Sequence, residues 1–135
     1  MTPPPGPCRH ALAAMAVPAR KWATRSELLS LLQRAEAYME GCPVDEFRLD
    51  LAAREAGLSR HHFLRLFREV YGKTPYRYLV EKRIVMAKEQ LASTELPIHE
   101  VAAEAGFVSS SAFARAFRKA TGQTPSAYRI SNIGA

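Results

Sequence analysis

The sequence Phe-Leu-Arg-Leu-Phe-Arg at residues 63–68 recurs as Phe-Ala-Arg-Ala-Phe-Arg at residues 113–118. The same landmarks follow each copy, namely Gly72, Thr74, Pro75 and Tyr78 after the first and Gly122, Thr124, Pro125 and Tyr128 after the second. An internal repeat of this kind indicates one supersecondary unit used twice. In each copy the arginines lie on the helix face opposite the phenylalanines, which predicts two helices that read DNA.

The charge of the chain favours a polyanionic partner. The 135 residues include 19 Lys+Arg against 13 Asp+Glu, with a net charge of +6. This length suits one domain or two small subdomains, and leaves no room for a large effector-binding domain. Charge alone does not separate nucleic acid from an anionic membrane, but here it is concentrated on the repeat. One basic stretch contains Arg60, Arg65, Arg68, Lys73, Arg77, Lys82 and Arg83, opposed only by Glu69 and Glu81.

The two cysteines and the N-terminus bear on location. Cys8 and Cys42 match no paired metal-binding or redox spacing, which favours a reducing cytoplasm over a disulfide framework. No apolar run approaches the roughly 20 residues that cross a bilayer, so no membrane partner is expected. The Pro-rich start without a cationic leader argues against a secretory signal. Residues 1–23 are predicted to form a flexible arm, with Trp22 packed onto the domain.

The first unit is predicted to be a helix followed by a helix-turn-helix. Thr24-x-x-Glu27 is a capping-box pattern that begins a helix with one apolar stripe, ending near Gly41. A second helix follows in residues 49–56, and Gly57 is placed to end it in a left-handed conformation. Ser59 is expected to cap a third helix to about residue 70. Its predicted core stripe is Phe63, Phe67, Val70 and Tyr71.

The second copy shows the same pattern. The spacing of Leu49 and the following alanines returns in residues 98–105, and Gly106 takes the place of Gly57. Its turn holds one extra residue, Val108, and turns tolerate insertions better than helices do. Phe113, Phe117 and Ala120 form the predicted core stripe of the last helix of this copy.

The long helix between the copies is predicted to start with Pro75 at its first position, where a missing amide costs nothing. At 1.5 Å per residue it is about 27 Å long, near the roughly 34 Å between successive major-groove faces of B-DNA. The predicted domains are residues 24–73, first helix-turn-helix unit; 74–94, linker helix; 95–131, second unit; and 132–135, tail.

The free faces of the two repeated helices supply the candidate base contacts. Arg65 and Arg115 occupy equivalent positions, and an arginine in a major groove can donate two hydrogen bonds to guanine. His61, Ser110 and Ser111 can also reach bases or phosphates. Leu64 is open to two interpretations, contact with a thymine methyl group or packing against the first helix. Phosphate contacts are assigned to Ser59, Arg60, Arg68, Lys73, Ser109, Arg118 and Lys119.

Metal binding is not expected. His61 and His62 are neighbours on a helix and diverge by about 100°, so they cannot easily share an ion, and no other Cys or His joins them. No cofactor is expected either.

Residues 49–128 resemble the DNA-binding domain of AraC/XylS-type transcription regulators. The motif residues are Ile98, Val101, Ala102, Ala105, Gly106 and Phe107, then Phe113, Arg115, Phe117 and Arg118, followed by Gly122, Thr124, Pro125, Tyr128 and Arg129. The resemblance implies an all-α fold of seven helices, two three-helix units joined by the long helix. It also implies base contacts from His61, Leu64, Arg65, Ser110, Ser111, Ala114 and Arg115.

Two departures from the family pattern bear on function. Ala112 and Ala114 are small and apolar where many relatives are polar, so the second helix is expected to read its half-site weakly or through shape. Pro97 stands where relatives often have a capping residue. The segment before Leu49 is too short for the usual ligand-binding domain, so the chain resembles the stand-alone, MarA-like members or an excised domain.

The resemblance therefore implies a bacterial regulator that binds double-stranded DNA as a monomer in the cytoplasm, associated with the nucleoid. Family habit favours activation through RNA polymerase over repression. The alternative is a basic helical module that binds DNA nonspecifically or binds an acidic protein or membrane. An enzyme is not expected, because Cys8 and Cys42 cannot form the zinc-cysteine site of the alkyl-transferring relatives and no other catalytic constellation is present.

Overall fold

The computed structural model describes residues 24–133, and within them the chain forms seven α-helices and no β-strand. The all-α prediction is confirmed for this part of the chain, while the predicted arm at residues 1–23, with Trp22, lies outside the described residues. The helices are α1 (Arg25–Glu40), α2 (Leu49–Glu55), α3 (Arg60–Tyr71), α4 (Pro75–Ser93), α5 (Ile98–Glu104), α6 (Ser110–Thr121) and α7 (Pro125–Ile133), with a short 3₁₀ helix (Val44–Glu46) before α2.

The start of α1 is the predicted capping box. The Thr24 hydroxyl oxygen accepts from the Glu27 N–H at 3.1 Å, and the Glu27 carboxylate accepts from the Thr24 N–H at 2.8 Å. Two backbone donors that the helix leaves unpaired are thereby satisfied. Leu32, Ala35 and Met39, at three- and four-residue steps, are buried, so α1 has one core face.

The described chain divides into two compact units. The first contains residues 24–42 and Phe47–Tyr76. In it α1 packs on α2 and α2 packs on α3. Ala52 and Ala53 of α2 are buried, and these small side chains allow the helices to approach closely. Gly57 follows with a φ of 70°, which is the left-handed turn that the sequence predicts.

The second unit contains Pro43–Glu46 and the described residues from Arg77 onward. Most of the helix that the sequence places as a linker thus belongs to this unit, and α7 extends to Ile133, beyond the predicted boundary at residue 131. Its core is aromatic at one end, where Phe113 lies 5.4 Å from Phe107 and 5.6 Å from Phe117, measured between ring centroids. Tyr128 of α7 meets Phe117 edge-on at 5.4 Å, which packs α7 on α6.

The predicted core stripes of α3 and α6 are correct except at one residue in each helix. Phe63, Phe67, Phe113 and Phe117 are fully buried, and Tyr71 is half-buried with its ring centroid 4.3 Å from that of Phe67. Val70 and Ala120, in the last turns of their helices, are exposed, so the prediction is wrong at these two positions.

The start of α5 at Pro97 has no side-chain cap, as the sequence predicts. Within the described residues, no helix combines the length and the apolar composition that crossing a bilayer requires.

Candidate nucleic-acid interface

The two caps of α3 fix where the helix begins and ends, and its buried rings fix which face points inward. The Ser59 hydroxyl oxygen accepts from the His62 N–H at 3.1 Å, and Gly72 ends the helix with a φ of 79°. Phe63 and Phe67 are 0% exposed, with ring centroids 5.6 Å apart. A helix anchored by this face must present the opposite face to solvent.

The opposite face of α3 carries the predicted DNA-contacting side chains. His61, Arg65 and Arg68 are exposed on it, and Arg60 is exposed in its first turn. Leu64 is half-buried, so part of its side chain packs inside the unit and part remains accessible.

The same construction recurs in α6. The Ser109 hydroxyl oxygen accepts from the Ala112 N–H at 3.1 Å, and Gly122 ends the helix with a φ of 84°. Phe113 and Phe117 are 0% exposed, and their ring centroids are again 5.6 Å apart at the same interplanar angle of 57°. The repeat seen in the sequence is therefore also a repeat in three dimensions.

The free face of α6 carries smaller side chains than the free face of α3. Ser110, Ser111 and Arg115 are exposed, whereas Ala114 is half-buried. Arg118 and Lys119 are exposed in the last turn. Before the last turn of α6, Arg115 is the one long side chain on the free face, and it occupies the position equivalent to Arg65.

The arginines on these faces are available to a ligand. Among the described residues, no acidic group or hydrogen-bond acceptor pairs with the side chain of Arg65 or of Arg115. The ion pairs lie elsewhere, such as the one at 2.9 Å between Arg77 and Glu81. A DNA ligand would therefore not have to break a protein contact to engage Arg65 or Arg115.

Three of the predicted phosphate-binding residues already have structural contacts. Ser59 and Ser109 cap helices with their hydroxyl oxygens, although each hydroxyl keeps its proton to donate. Lys73 is half-buried and already interacts within the protein. Capping and phosphate contact are compatible at the two serines, because the helix N-terminus itself attracts anions.

Arg83 belongs to the basic stretch of the sequence, but its charge does not lie on the surface. Its side chain is 7% exposed, and its Nη1 donates to the Ala105 carbonyl oxygen at 3.0 Å. That carbonyl lies at the end of α5, where helical acceptors lack partners. Gly106 follows with a φ of 89°, and a Cβ there would collide with the Arg83 guanidinium group. Arg83 thus fastens the turn of the second unit to α4.

The segment Pro43–Glu46 fastens the same turn from another side, a role that the sequence did not predict. The Val44 N–H donates to the Gly106 carbonyl oxygen at 2.8 Å, and Val44 is buried in the core of the second unit. The Asp45 carboxylate accepts from the Val108 N–H at 2.6 Å. The connector between α1 and α2 carries three scattered apolar residues, Cys42, Val44 and Phe47, and their spacing indicates no partner.

A metal centre is not supported by the described residues, since they contain no group of three His, Cys, Asp or Glu that could hold an ion. His61 is exposed on the free face of α3 and is therefore placed to act as a hydrogen-bond donor or acceptor.

Comparison with known proteins relates this arrangement to DNA binding. A helix-turn-helix domain model matches residues 52–131. The regulatory protein SoxS of Salmonella typhimurium is 37% identical over 81 residues, which cover 60% of this chain and 76% of SoxS. The virulence regulon transcriptional activator VirF of Yersinia enterocolitica is 36% identical over 101 residues, covering 75% of this chain. The chain spans only 37% of VirF.

A solved structure gives the same result for the fold. The DNA-binding domain of the transcriptional factor AdpA, crystallised with a target DNA, superposes with a TM-score of 0.67 and 32% sequence identity. The match covers 74% of this chain and 90% of the AdpA domain.

Proposed function

Because the chain belongs to the AraC-type family of helix-turn-helix DNA-binding transcription regulators, we propose that it binds a specific duplex sequence through α3 and α6. Each helix enters a major groove, and the two grooves are adjacent on the duplex. One observation carries this proposal: both helices bury two phenylalanines and present, at the equivalent position, an exposed arginine that has no partner within residues 24–133.

Arg65 and Arg115 are assigned to base recognition. A guanidinium group in a major groove can donate two hydrogen bonds to O6 and N7 of one guanine, which discriminates by roughly 1–3 kcal/mol. His61 and Leu64 join Arg65 in the first half-site, and Ser110, Ser111 and Ala114 join Arg115 in the second. The small side chains around Arg115 provide fewer contacts, so the second half-site contributes less specificity than the first.

The remaining basic residues position the protein on the backbone. Arg60 and Arg68 on α3 and Arg118 and Lys119 on α6 are exposed and contact phosphates, together with Lys73 and the Ser59 and Ser109 hydroxyl groups. Such contacts fix register and contribute most of the salt dependence, but they carry no sequence information.

At the level of the whole protein, we propose an activator that binds as a monomer to an asymmetric site of roughly 20 bp, two turns of the duplex. VirF is named as a transcriptional activator, which supports activation through RNA polymerase over repression. The relatives are regulators, so we propose that this chain acts by binding and not by catalysis. Its place is the bacterial cytoplasm, on the nucleoid DNA.

The proposal is tested by selecting bound duplexes from a random library of about 25 bp with the purified chain. Competition against bulk DNA follows at physiological salt, because electrostatic affinity changes steeply with salt. We expect an enriched asymmetric site with two short boxes about one helical turn apart. Binding without enrichment that disappears as salt rises would favour a nonspecific basic module instead. Arg34→Ala is the matched control, since Arg34 is an exposed arginine on α1 and belongs to neither of the proposed recognition helices, α3 and α6.

A further inference from the structure

The turn between α5 and α6 differs from its counterpart in the first unit by one exposed apolar residue. Gly57 and Ser59 are separated by Leu58 alone, whereas Gly106 and Ser109 are separated by Phe107 and Val108. Phe107 is buried at 8% exposure, as Leu58 is at 3%, so these two residues are the equivalent core contacts. Val108 is the insertion, and its side chain is 77% exposed.

This exposed valine is held in place by its backbone. The Val108 N–H donates to the Asp45 carboxylate at 2.6 Å, a short hydrogen bond to a charged acceptor. On the other side of Phe107, the Gly106 carbonyl oxygen accepts from the Val44 N–H at 2.8 Å. Phe107 itself is anchored in the core. The backbone at Val108 is therefore fastened by a side chain that belongs to a distant part of the sequence.

Val108 lies next to the N-terminal end of α6. It immediately precedes Ser109, the residue that caps α6, and residues at the N-terminal end of a recognition helix are those that reach base edges. The apolar residue on the free face of α6, Ala114, is small and half-buried, whereas the equivalent residue on α3 is the larger Leu64. The second unit thus offers its large apolar group from the turn and not from the helix.

We propose that Val108 is a specificity-determining residue that contacts a thymine methyl group in the second half-site, and that Asp45 positions it. The thymine C5-methyl is the one apolar feature on the major-groove edge of a base pair. The exposed, branched apolar side chain of Val108 is suited to contact this methyl group, because the contact removes both apolar surfaces from water. This inference rests on the proposed function, since it requires α6 to enter a major groove.

The test replaces each thymine of the selected duplex, one at a time, with deoxyuridine, which removes only the methyl group. For the wild-type chain we expect one thymine next to the Arg115-dependent box at which the substitution weakens binding by about fourfold. For Val108→Ala the same substitution should have little effect, because the partner of the methyl group is gone. Ile130→Ala is the control, since Ile130 is 73% exposed in the same unit but lies on α7.

Asp45 is tested by the same ratio of affinities for thymine and uracil duplexes. Loss of a negative charge strengthens binding to any DNA, so affinity alone would not report positioning. Asp45→Ala should reduce the methyl discrimination, and Asp45→Asn, which keeps an acceptor oxygen, should restore part of it. An unchanged melting temperature would separate this effect from loss of folding.

Three results would overturn the proposal. A selected site without a thymine beside the second box, or a methyl effect that persists in Val108→Ala, would contradict it while Arg115-dependent selection leaves the proposed function intact. Failure to select any sequence would contradict the methyl contact and the proposed function together.

Discussion

Single residues on α3 and α6 fall into two groups, those that we propose contact bases and those that we propose contact phosphates. Arg115 lies in the middle of α6, on the face opposite its buried rings, and we propose that it contacts a base. Lys119 lies in the last turn of α6, and we propose that it contacts only the phosphate backbone. Both side chains are exposed cations, so the difference between their proposed roles comes from their positions on α6. These positions were predictable from the sequence, because helical periodicity shows which face and which turn of a helix a residue occupies.

At this scale we predict that Lys119→Ala weakens binding to all sequences alike. The ammonium group neutralises one phosphate, so its loss should also flatten the slope of log affinity against log salt by about one. Titration of specific and random duplexes at several salt concentrations measures both effects. A loss confined to the selected site would instead place Lys119 among the base-contacting residues.

The elements of the fold were largely predictable from local pattern. The capping residues Thr24, Ser59 and Ser109 and the left-handed Gly57 each act on neighbours within a few residues, which a single sequence displays. The hydrogen bond between the Val108 N–H and the Asp45 carboxylate was not predictable, because the two residues are 63 positions apart and no periodicity connects them. The exposure of Val70 and Ala120 was not predictable either, because helical periodicity does not show which positions of a helix the rest of the fold covers.

The turn before α6 gives a prediction at the scale of elements. Gly106→Ala must adopt a φ near 89° and displace the Arg83 guanidinium group, which would leave a buried charge and the Ala105 carbonyl oxygen without their hydrogen bond. We expect a loss of about 3 kcal/mol or more in the free energy of unfolding.

Gly122→Ala is the matched control for this change. Its φ is 84°, but a Cβ there would meet no atom within 4 Å, so only the backbone penalty of about 1–2 kcal/mol remains. Urea unfolding of both variants measures the difference. Equal losses would mean that Arg83 yields without cost and that the turn is not fastened by it.

Two half-buried tyrosines of the first unit give a pH dependence. Desolvation, together with the nearby Glu36 carboxylate, raises the pKa of Tyr71 to about 12, and desolvation with the neighbouring Cys42 thiol raises the pKa of Tyr38 to about 12. In the unfolded chain a tyrosine loses its proton near pH 10. Between about pH 10 and 12 the unfolded state therefore binds fewer protons than the folded state, and the stability that each tyrosine contributes declines as the pH rises.

We predict that Tyr71→Phe lowers stability at about pH 9 and that the gap to the wild-type chain narrows by about pH 11, because phenylalanine has no proton to lose. Urea midpoints at the two pH values measure the gap. Tyr76→Phe controls for loss of a hydroxyl group, since Tyr76 is an exposed tyrosine of the same unit. A gap that stays constant would contradict the assigned pKa of Tyr71.

At the scale of the whole molecule, the described chain divides into two units, and we propose that each contributes one DNA-reading helix. The sequence predicts this division because the repeat is internal and both copies keep their core and turn residues. It could not predict that Pro43–Glu46 and most of α4 belong to the second unit, since compactness depends on contacts between distant residues. Which base each unit reads is likewise not encoded in a local pattern.

The most direct measurement repeats the duplex selection with Arg65→Ala, Arg115→Ala and the control Arg34→Ala. We predict that each recognition-helix variant relaxes preference at one base pair, with a cost of about 1–3 kcal/mol on the wild-type site. The two relaxed positions should lie in different boxes about one helical turn apart, and Arg34→Ala should select the wild-type site. Relaxation of the same box by both variants, or equal losses on selected and random DNA, would contradict recognition through both units.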